Sequence, residues 1–177
     1  MSAAELDVRR FTHADLPRIR QVLIDVHAEA QGVDGDDEFT KRFPWFVDHW
    51  GGRPDFSCVI AYDGAEPVGF AYGAPATPRR EWWREHLDPA PEKTRTFSYS
   101  ELAVSTKWRK KGVAKLLSRA LLDGRDDDLA VLLVDVEHPR VQALYESWGF
   151  RKVGEDRPFP DSPVYAVMLA ALPLNFP

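Results

Sequence analysis

The sequence predicts a mixed α/β (α+β) fold: a mostly antiparallel sheet with one central parallel strand pair, flanked by helices. Two features carry this prediction. Residues 56–72 form two apolar runs around Asp63-Gly64, which is typical of an antiparallel hairpin. Residues 97–136 then read as strand, helix and strand, and a right-handed crossover makes two such strands parallel neighbours.

The residues before the hairpin predict one strand and two helices. Apolar and polar residues alternate over 6–11, and an amphipathic helix follows for which Thr12 or Asp15 is a suitable cap. Residues 31–38 are acidic and contain glycine, which predicts a loop. The aromatic run 39–50 predicts a second helix.

The residues after the hairpin complete the sheet. The stretch 73–95 contains four prolines and predicts a long connection, of the kind that often lines a site. The helix between the two parallel strands is expected at 110–122. A further helix is expected from Pro139 until Gly149 stops it, and residues 150–155 and 164–169 predict two closing strands.

Length and composition indicate a single folded domain. The 177 residues and 20.1 kDa are enough for one domain, which we expect to span residues 1–177. Hydrophobic residues at 44% and charged residues at 29% are typical of globular proteins. The net charge of −5 argues against general binding to nucleic acid or to an anionic membrane.

Cysteine content and hydropathy predict a cytoplasmic location. Cys58 is the single cysteine, which excludes an internal disulfide and favours a reducing compartment. No apolar run has the length of a membrane span or the position of a secretory signal. The five histidines lack metal-ligand spacing, so no metal is expected.

A basic segment joins the strand at 97–104 to the helix that follows it. Five cationic residues, at 107, 109, 110, 111 and 115, fall within nine positions that contain no acidic residue. The first turn of a helix favours phosphate oxygens through its amide groups and its dipole, and Gly112 allows close approach to the backbone. The segment predicts a polyanion site, although a solvated turn has a similar composition. It matches neither the Walker loop nor the dinucleotide fingerprint.

This segment resembles the signature of the GNAT superfamily of acyl-CoA-dependent N-acyltransferases. The family pattern Gln/Arg-x-x-Gly-x-Gly/Ala, after a Leu-x-Val-like strand end, is matched by residues 109–114 after Leu102-Ala103-Val104. A second family element, Leu-Tyr-Glu followed by Gly-Phe, is approximated within residues 138–150. The order of strands and helices extends the resemblance over nearly the whole chain.

The resemblance implies that acetyl-CoA is the acyl donor. In the family, amides of residues 111–115 hold the CoA pyrophosphate, and the backbone of the preceding strand end aligns the pantetheine. The implied cofactor-binding residues are Leu102, Ala103, Val104, Arg109, Lys110, Lys111, Gly112, Val113, Ala114, Lys115 and His138. Two positions depart from the family pattern, because Lys110 stands where glycine is frequent and His138 replaces an asparagine.

The resemblance also indicates an acid and a base. Glu101 stands where many related enzymes carry a glutamate that deprotonates the amine, usually through water. A salt-bridged glutamate, or a water held by residues 98–100, is the alternative. Tyr145 stands at the position of the general acid that faces the leaving thiolate, and the alternative is a core tyrosine. We expect Glu101→Gln to reduce turnover most strongly at low pH, where deprotonating the amine is hardest. Cys58 lies on an apolar strand, so direct attack by the amine is expected.

The expected acceptor is a primary amine of a small molecule or a peptide. The family places it against the first two helices and two loops, where acidic and aromatic residues could hold a cationic amine. The acidic candidates are Asp34, Asp36, Asp37 and Glu38, and the aromatic ones are Phe43, Trp45, Phe46, Trp82 and Trp83. The alternative is that the acidic residues form a solvated loop and that the aromatic residues belong to the core. Two alternative functions stay open: a non-catalytic acyl-CoA sensor or partner-binding domain, and a basic loop that binds RNA or a phosphoprotein. A homodimer also stays open.

Overall fold

The computed structural model describes residues 2–31 and 38–177. Within these ranges the chain forms seven strands and four α-helices. In chain order they are β1 (Asp7–Thr12), α1 (Leu16–Gln31), α2 (Glu38–Gly51), β2 (Ser57–Asp63), β3 (Glu66–Pro75), β4 (Thr96–Val104), α3 (Val113–Leu122), β5 (Leu129–Asp135), α4 (Pro139–Ser147), β6 (Arg151–Asp156) and β7 (Tyr165–Ala171). None of these helices has the length and hydropathy that a membrane span needs. The loop predicted at 31–38 lies largely outside the described residues.

The strands form one sheet in the order β1-β2-β3-β4-β5-β7-β6. The pairs β1–β2, β2–β3, β5–β7 and β6–β7 are antiparallel. Strands β4 and β5 are parallel, as the crossover rule requires for a strand, helix and strand unit. The predicted fold class, a mostly antiparallel sheet with a central parallel pair and flanking helices, is therefore confirmed.

The chain divides into two compact units that both include part of β4. The first consists of Met1–Ala74 with Glu101–Leu121, and the second of Pro75–Ser100 with Leu122–Pro177. Residues 96–100 of β4 thus belong to the second unit and residues 101–104 to the first. A single domain over residues 1–177 stays a prediction.

The first unit buries one face of α1 together with a group of aromatic rings. Thr12 and Asp15 form a capping box just before α1, as expected, and the Thr12 N–H donates to the Asp15 carboxylate at 2.8 Å. The apolar stripe of α1 and the neighbouring rings are buried; they include Ile19, Leu23, Val26, Phe43, Phe70 and Tyr72. Burial of this apolar surface is the main stabilising contribution in the unit.

The second unit has its own core against β5 and β7. Val131, Val167 and Leu169 pack there around the fully buried ring of Trp83. The indole N–H of Trp83 donates to the Thr96 hydroxyl at 2.9 Å. This hydrogen bond and the burial of the ring anchor the long connection between β3 and β4.

Candidate active site

The turn between β4 and α3 differs from the continuous helix expected from residue 110. Thr106–Trp108 form a short 3-10 turn. Lys110 has a φ of 60° and Gly112 a φ of 86°. Both values lie in the left-handed region, which a right-handed helix excludes, so α3 begins only at Val113. We call residues 107–115 the basic loop.

The left-handed backbone explains two residue types in the basic loop. A Cβ at Gly112 would meet Ala3 Cβ at 3.8 Å, an ordinary contact, so conformation rather than space favours glycine there. Lys110 adopts a similar conformation with a side chain, at a cost of about 1 kcal/mol. The lysine at this position therefore strains the backbone of the turn.

The start of α3 presents backbone amides suited to an anion. The Leu116 N–H donates to the Gly112 carbonyl at 3.0 Å, which begins the helical pattern. The amides of residues 113–115 precede this bond, at the positive end of the helix dipole. Gly112 and Lys111 are exposed, whereas Val113 is buried. The loop is thus open to solvent where a phosphate group would approach.

The basic side chains of the loop are not equally available to a ligand. Lys107 lies 2.7 Å from a carboxylate of β3, and Arg109 donates to a carbonyl at the end of α1. The ammonium of Lys111 lies 5.3 Å from the centre of the Trp108 ring. Lys107 and Arg109 thus have contacts within their own chain, and a polyanion site formed by all five cations stays a prediction.

The second half of β4 carries the residues predicted to align pantetheine. Ala103 is buried, whereas Leu102 and Val104 are half-buried. The parallel pairing of β4 with β5 runs from Thr96 opposite Leu129 to Ser98 opposite Val131, although both strands continue further. The residues predicted to align pantetheine therefore lie after the last parallel pair of β4 and β5. They are Leu102, Ala103 and Val104.

Glu101 lies on β4 where the strand passes from buried to half-buried residues. Desolvation raises the pKa of its carboxyl group to about 8, and a backbone hydrogen bond at Leu102 opposes this shift. The residue as a whole keeps some exposure, but its carboxyl group is enclosed by protein. A carboxyl with this pKa exchanges protons near neutral pH, as a general base acting on an amine must.

Tyr72 is a neighbour of Glu101 that the sequence analysis did not identify. Burial raises the pKa of the Tyr72 phenol, and the charge of Glu101 raises it further. Its ring lies 5.8 Å from Phe70 and 5.4 Å from Phe56, centre to centre. The antiparallel hairpin β2–β3 places this aromatic group in the core, and only the order of β3 and β4 in the sheet could have linked it to Glu101.

Tyr145 is buried within an aromatic cluster of the second unit. Its ring centre lies 5.4 Å from Trp148, 5.8 Å from Phe150 and 6.4 Å from Tyr99, and all three ring pairs meet edge to face. The ring is thus held in one orientation, which serves a core tyrosine and a general acid equally. Its catalytic role stays a prediction.

His138 marks the start of α4, as predicted. Its carbonyl accepts a hydrogen bond from the Val141 N–H at 3.1 Å, whereas its side chain makes no capping bond. The ring is 66% exposed, and its Nε2 atom lies 3.8 Å from the Asp135 carboxylate. Contact of His138 with a cofactor stays a prediction.

Two of the predicted acceptor-binding aromatics belong to the cores instead. Phe43 and Trp83 are fully buried, so they cannot form an open wall. Trp45 is 59% exposed and stacks on His49 at 5.0 Å. Of the acidic candidates, Asp34, Asp36 and Asp37 lie outside the described residues, and Glu38 begins α2.

Cys58 is not a reactive thiol, and the part of the chain that the structure describes has no group of side chains suited to hold a metal ion. Burial raises the pKa of the Cys58 thiol far above its usual range, so it is inert as a nucleophile. Across residues 2–31 and 38–177, no three His, Cys, Asp or Glu side chains are grouped as metal ligands.

Known proteins share the sequence pattern of this chain. The acetyltransferase (GNAT) family matches residues 18–150. The GCN5-like protein acetyltransferase Rv2170 of Mycobacterium tuberculosis is 29% identical over 126 residues, which are 62% of this chain and 61% of that protein. The match therefore spans about three fifths of the length of this relative.

Solved structures share the fold at lower identity. A protein assigned to the GNAT family from Desulfovibrio desulfuricans has a TM-score of 0.68 and 16% identity, over 94% of this chain and 98% of that chain. The ribosomal-protein-S18-alanine N-acetyltransferase of Escherichia coli has a TM-score of 0.65 and 16% identity, over 94% of each chain. Arabidopsis thaliana NAA60 in complex with acetyl-CoA has the same TM-score and identity, over 94% of this chain and 98% of that one. Because the family pattern covers most of its length, this chain belongs to the acetyltransferase (GNAT) family.

Proposed function

We propose that this protein is an acetyl-CoA-dependent N-acetyltransferase that moves the acetyl group to a primary amine of a small molecule or peptide. One observation carries the proposal. Within the first unit, β4 carries the desolvated carboxyl group of Glu101 and leads directly into the basic loop and the amides at the start of α3. The proposed base and the proposed anion-binding element thus lie on one short segment of the chain.

The basic loop and the end of β4 would bind the donor. The amides of residues 111–115 would receive the pyrophosphate, and the backbone of Leu102 and Val104 would align the pantetheine. Acetyl-CoA supplies the activated thioester. The other proposed contacts, carried over from the family pattern, are Ala103, Arg109, Lys110 and His138.

Glu101 is the proposed general base. A primary ammonium group has a pKa of about 10 and must lose a proton before its nitrogen can attack. A carboxylate whose pKa is about 8 accepts that proton far better than an ordinary one, either directly or through a water molecule. The amine nitrogen then forms its bond to the carbonyl carbon as the carbon–sulfur bond breaks, and the nitrogen releases its second proton to solvent to give the neutral amide.

Tyr145 is the proposed general acid. The departing thiolate takes up one proton, which the phenol would donate and later regain from solvent. Support for this role comes from the family pattern around Leu144-Tyr145-Glu146. With Glu101 and Tyr145 in these roles, no covalent acyl-enzyme is needed.

The acceptor class and the cellular setting are further parts of the proposal. The relative from Mycobacterium tuberculosis is named a protein acetyltransferase, which supports a peptide or protein amine as the first acceptor to test. The single buried cysteine favours a reducing compartment such as the cytoplasm. A homodimer stays a prediction that sedimentation can test.

A non-catalytic acyl-CoA sensor is the second candidate, because the burial of Tyr145 suits a purely structural tyrosine. Calorimetric titration with acetyl-CoA and longer acyl-CoAs, followed by free-thiol release with polyamines, amino acids, aminoglycosides and peptides, separates the two. Binding with acceptor-dependent thiol release establishes the transferase. Binding without release across this panel favours the sensor, and absent binding contradicts both.

A further inference from the structure

Helix α1 ends against the turn that leads into the basic loop. Glu29 accepts a hydrogen bond from the Thr106 N–H at 3.1 Å and another from the Thr106 hydroxyl. The neighbouring carbonyl of Ala30 accepts a hydrogen bond from the Arg109 guanidinium. Two consecutive residues of α1 therefore hold the two sides of the 3-10 turn.

The bonds of Glu29 keep its carboxylate charged. The hydrogen bond from the Thr106 side chain is the largest cause that lowers the pKa of Glu29, and the charge of Arg109 also lowers it. Hydrogen bonds to an ionised carboxylate are stronger than those between neutral groups. Glu29 and Thr106 are exposed, as is the Lys107–Glu66 ion pair, so burial does not distinguish them. What distinguishes Glu29 is that it accepts hydrogen bonds from both the backbone and the side chain of one residue of the turn.

We propose that Glu29 is a positioning residue for acyl-CoA binding. It fixes the turn before the basic loop, so that the amides of residues 113–115 are already aimed at the phosphate oxygens when the ligand arrives. A loop ordered in advance binds more tightly because less conformational entropy is lost on association. The inference rests on the proposed function, since it takes these amides to be the pyrophosphate site.

If Glu29 acted on CoA only through its charge, its neutralisation would have the opposite effect on affinity. The direction of the change in Kd therefore tests the inference. A carboxylate close to a polyanion site repels the ligand, so its neutralisation would tighten binding if Glu29 had no positioning role. Positioning predicts that Glu29→Gln weakens binding. The Thr106 N–H and hydroxyl bind different oxygens of the Glu29 carboxylate. A glutamine replaces one of these oxygens with an NH₂ group, which cannot accept a hydrogen bond, so both contacts cannot keep this geometry.

The experiment is a calorimetric titration of CoA into the wild type, Glu29→Gln and the matched control Asp25→Asn. Asp25 lies one turn earlier on α1, and its carboxylate accepts a hydrogen bond from Gln21 at 2.9 Å. We expect Glu29→Gln to raise the Kd of CoA about 5- to 50-fold and Asp25→Asn to change it less than about two-fold. With an acceptor present, the KM for acetyl-CoA rises in step while kcat stays within about two-fold.

A second variant guards against a merely structural effect. Thr106→Val keeps the backbone N–H and removes the hydroxyl donor, so a rise in Kd of about three-fold is expected. The Kd of the double variant should be little higher than that of Glu29→Gln alone, because both substitutions disrupt the same contact. The inference is overturned if the wild type binds CoA and Glu29→Gln binds it equally or more tightly, whatever its Tm. A wild type that binds no CoA overturns the proposed function together with this inference.

Discussion

Tyr72 on β3 and Glu101 on β4 interact electrostatically: burial raises the pKa of the Tyr72 phenol, and the negative charge of Glu101 raises it further. The two strands are neighbours in the sheet. The same scarcity of water raises the pKa of Glu101 to about 8. Glu101 is therefore mostly protonated at a pH where an exposed carboxyl group is fully ionised, which has kinetic and thermodynamic consequences.

The first prediction concerns the pH profile of Glu101→Gln. Wild-type kcat/KM should rise with pH up to about 8, because only the ionised carboxylate can accept the proton of the amine. We expect the substitution to lower kcat/KM about 100-fold or more above that pH and much less at about pH 6, where the wild-type carboxyl is itself protonated. The sequence led us to expect the largest loss at low pH, and burial of the carboxyl reverses that direction.

The control for this prediction is Glu92→Gln, at an exposed position in the connection between β3 and β4. It removes one negative charge and should leave the pH profile unchanged. If the profiles of Glu101→Gln and the wild type coincide at every pH, Glu101 is not the base. A water molecule held by residues 98–100 would then take that role.

The second prediction concerns folding stability. The pKa of Glu101 is about 8 in the folded protein against the model-compound value of 4.5. Between these values the folded state holds a proton that the unfolded state has lost, so the free energy of unfolding falls as pH rises. The loss begins near the lower pKa and is complete above the higher one.

Glu101→Gln should remove this loss because it has no charge to desolvate. We expect the variant to be more stable than the wild type at about pH 8.5, by on the order of 1–3 kcal/mol, and no more stable at about pH 4.5. Urea titrations of both proteins at both pH values provide the comparison, and all other titrating groups cancel. A stability difference that does not vary with pH would show that the carboxyl group is well solvated.

Much of the fold follows from local sequence signals. The hairpin, the capping box at Thr12 and Asp15, and the α4 start at Pro139 all depend on neighbouring residue types, and the structure has them where they were predicted. The predicted start of α3 was three residues too early, because a lysine at position 110 does not indicate that its backbone is left-handed. A glycine there would have indicated the turn.

The candidate site was less predictable because its properties depend on contacts between distant residues. Glu29 and Thr106 are separated by 77 positions, so no spacing rule connects them. Phe43 and Trp83 have the residue type of a binding wall, but their burial places them in the cores. The position of Glu101 was accessible from the family pattern, whereas its raised pKa required the enclosure that only the folded chain provides.

The third prediction separates backbone strain from ligand contact at Gly112. Gly112 and Gly124 have φ angles of 86° and 74°, and neither has a close neighbour that a Cβ would displace. Alanine at either position should therefore cost about 1 kcal/mol of stability, measured by urea titration. Only Gly112→Ala should also weaken CoA binding, about ten-fold, and Gly112→Asp should abolish it through added charge. Equal Kd values for both alanine variants and the wild type would remove Gly112 from the proposed site.

The fourth prediction tests Tyr145 as the acid with a change that leaves its packing intact. Tyr145→Phe keeps the edge-to-face contacts with Tyr99, Trp148 and Phe150 and removes only the hydroxyl. We expect kcat to fall about 10- to 100-fold, because the thiolate must leave without a proton donor, while the Kd of CoA stays within about two-fold.

The matched control for Tyr145→Phe is Tyr62→Phe on β2, which also removes only a hydroxyl group. The centre of the Tyr62 ring lies 4.4 Å from the Arg9 guanidinium. Its kcat and the Kd of CoA should both equal those of the wild type. An unchanged kcat in Tyr145→Phe would leave Tyr145 as a core residue, since its ring is buried whether or not the hydroxyl takes part. A parallel fall in kcat and CoA affinity would instead indicate that the hydroxyl holds the cofactor, because an acid that acts only on the leaving group changes turnover alone.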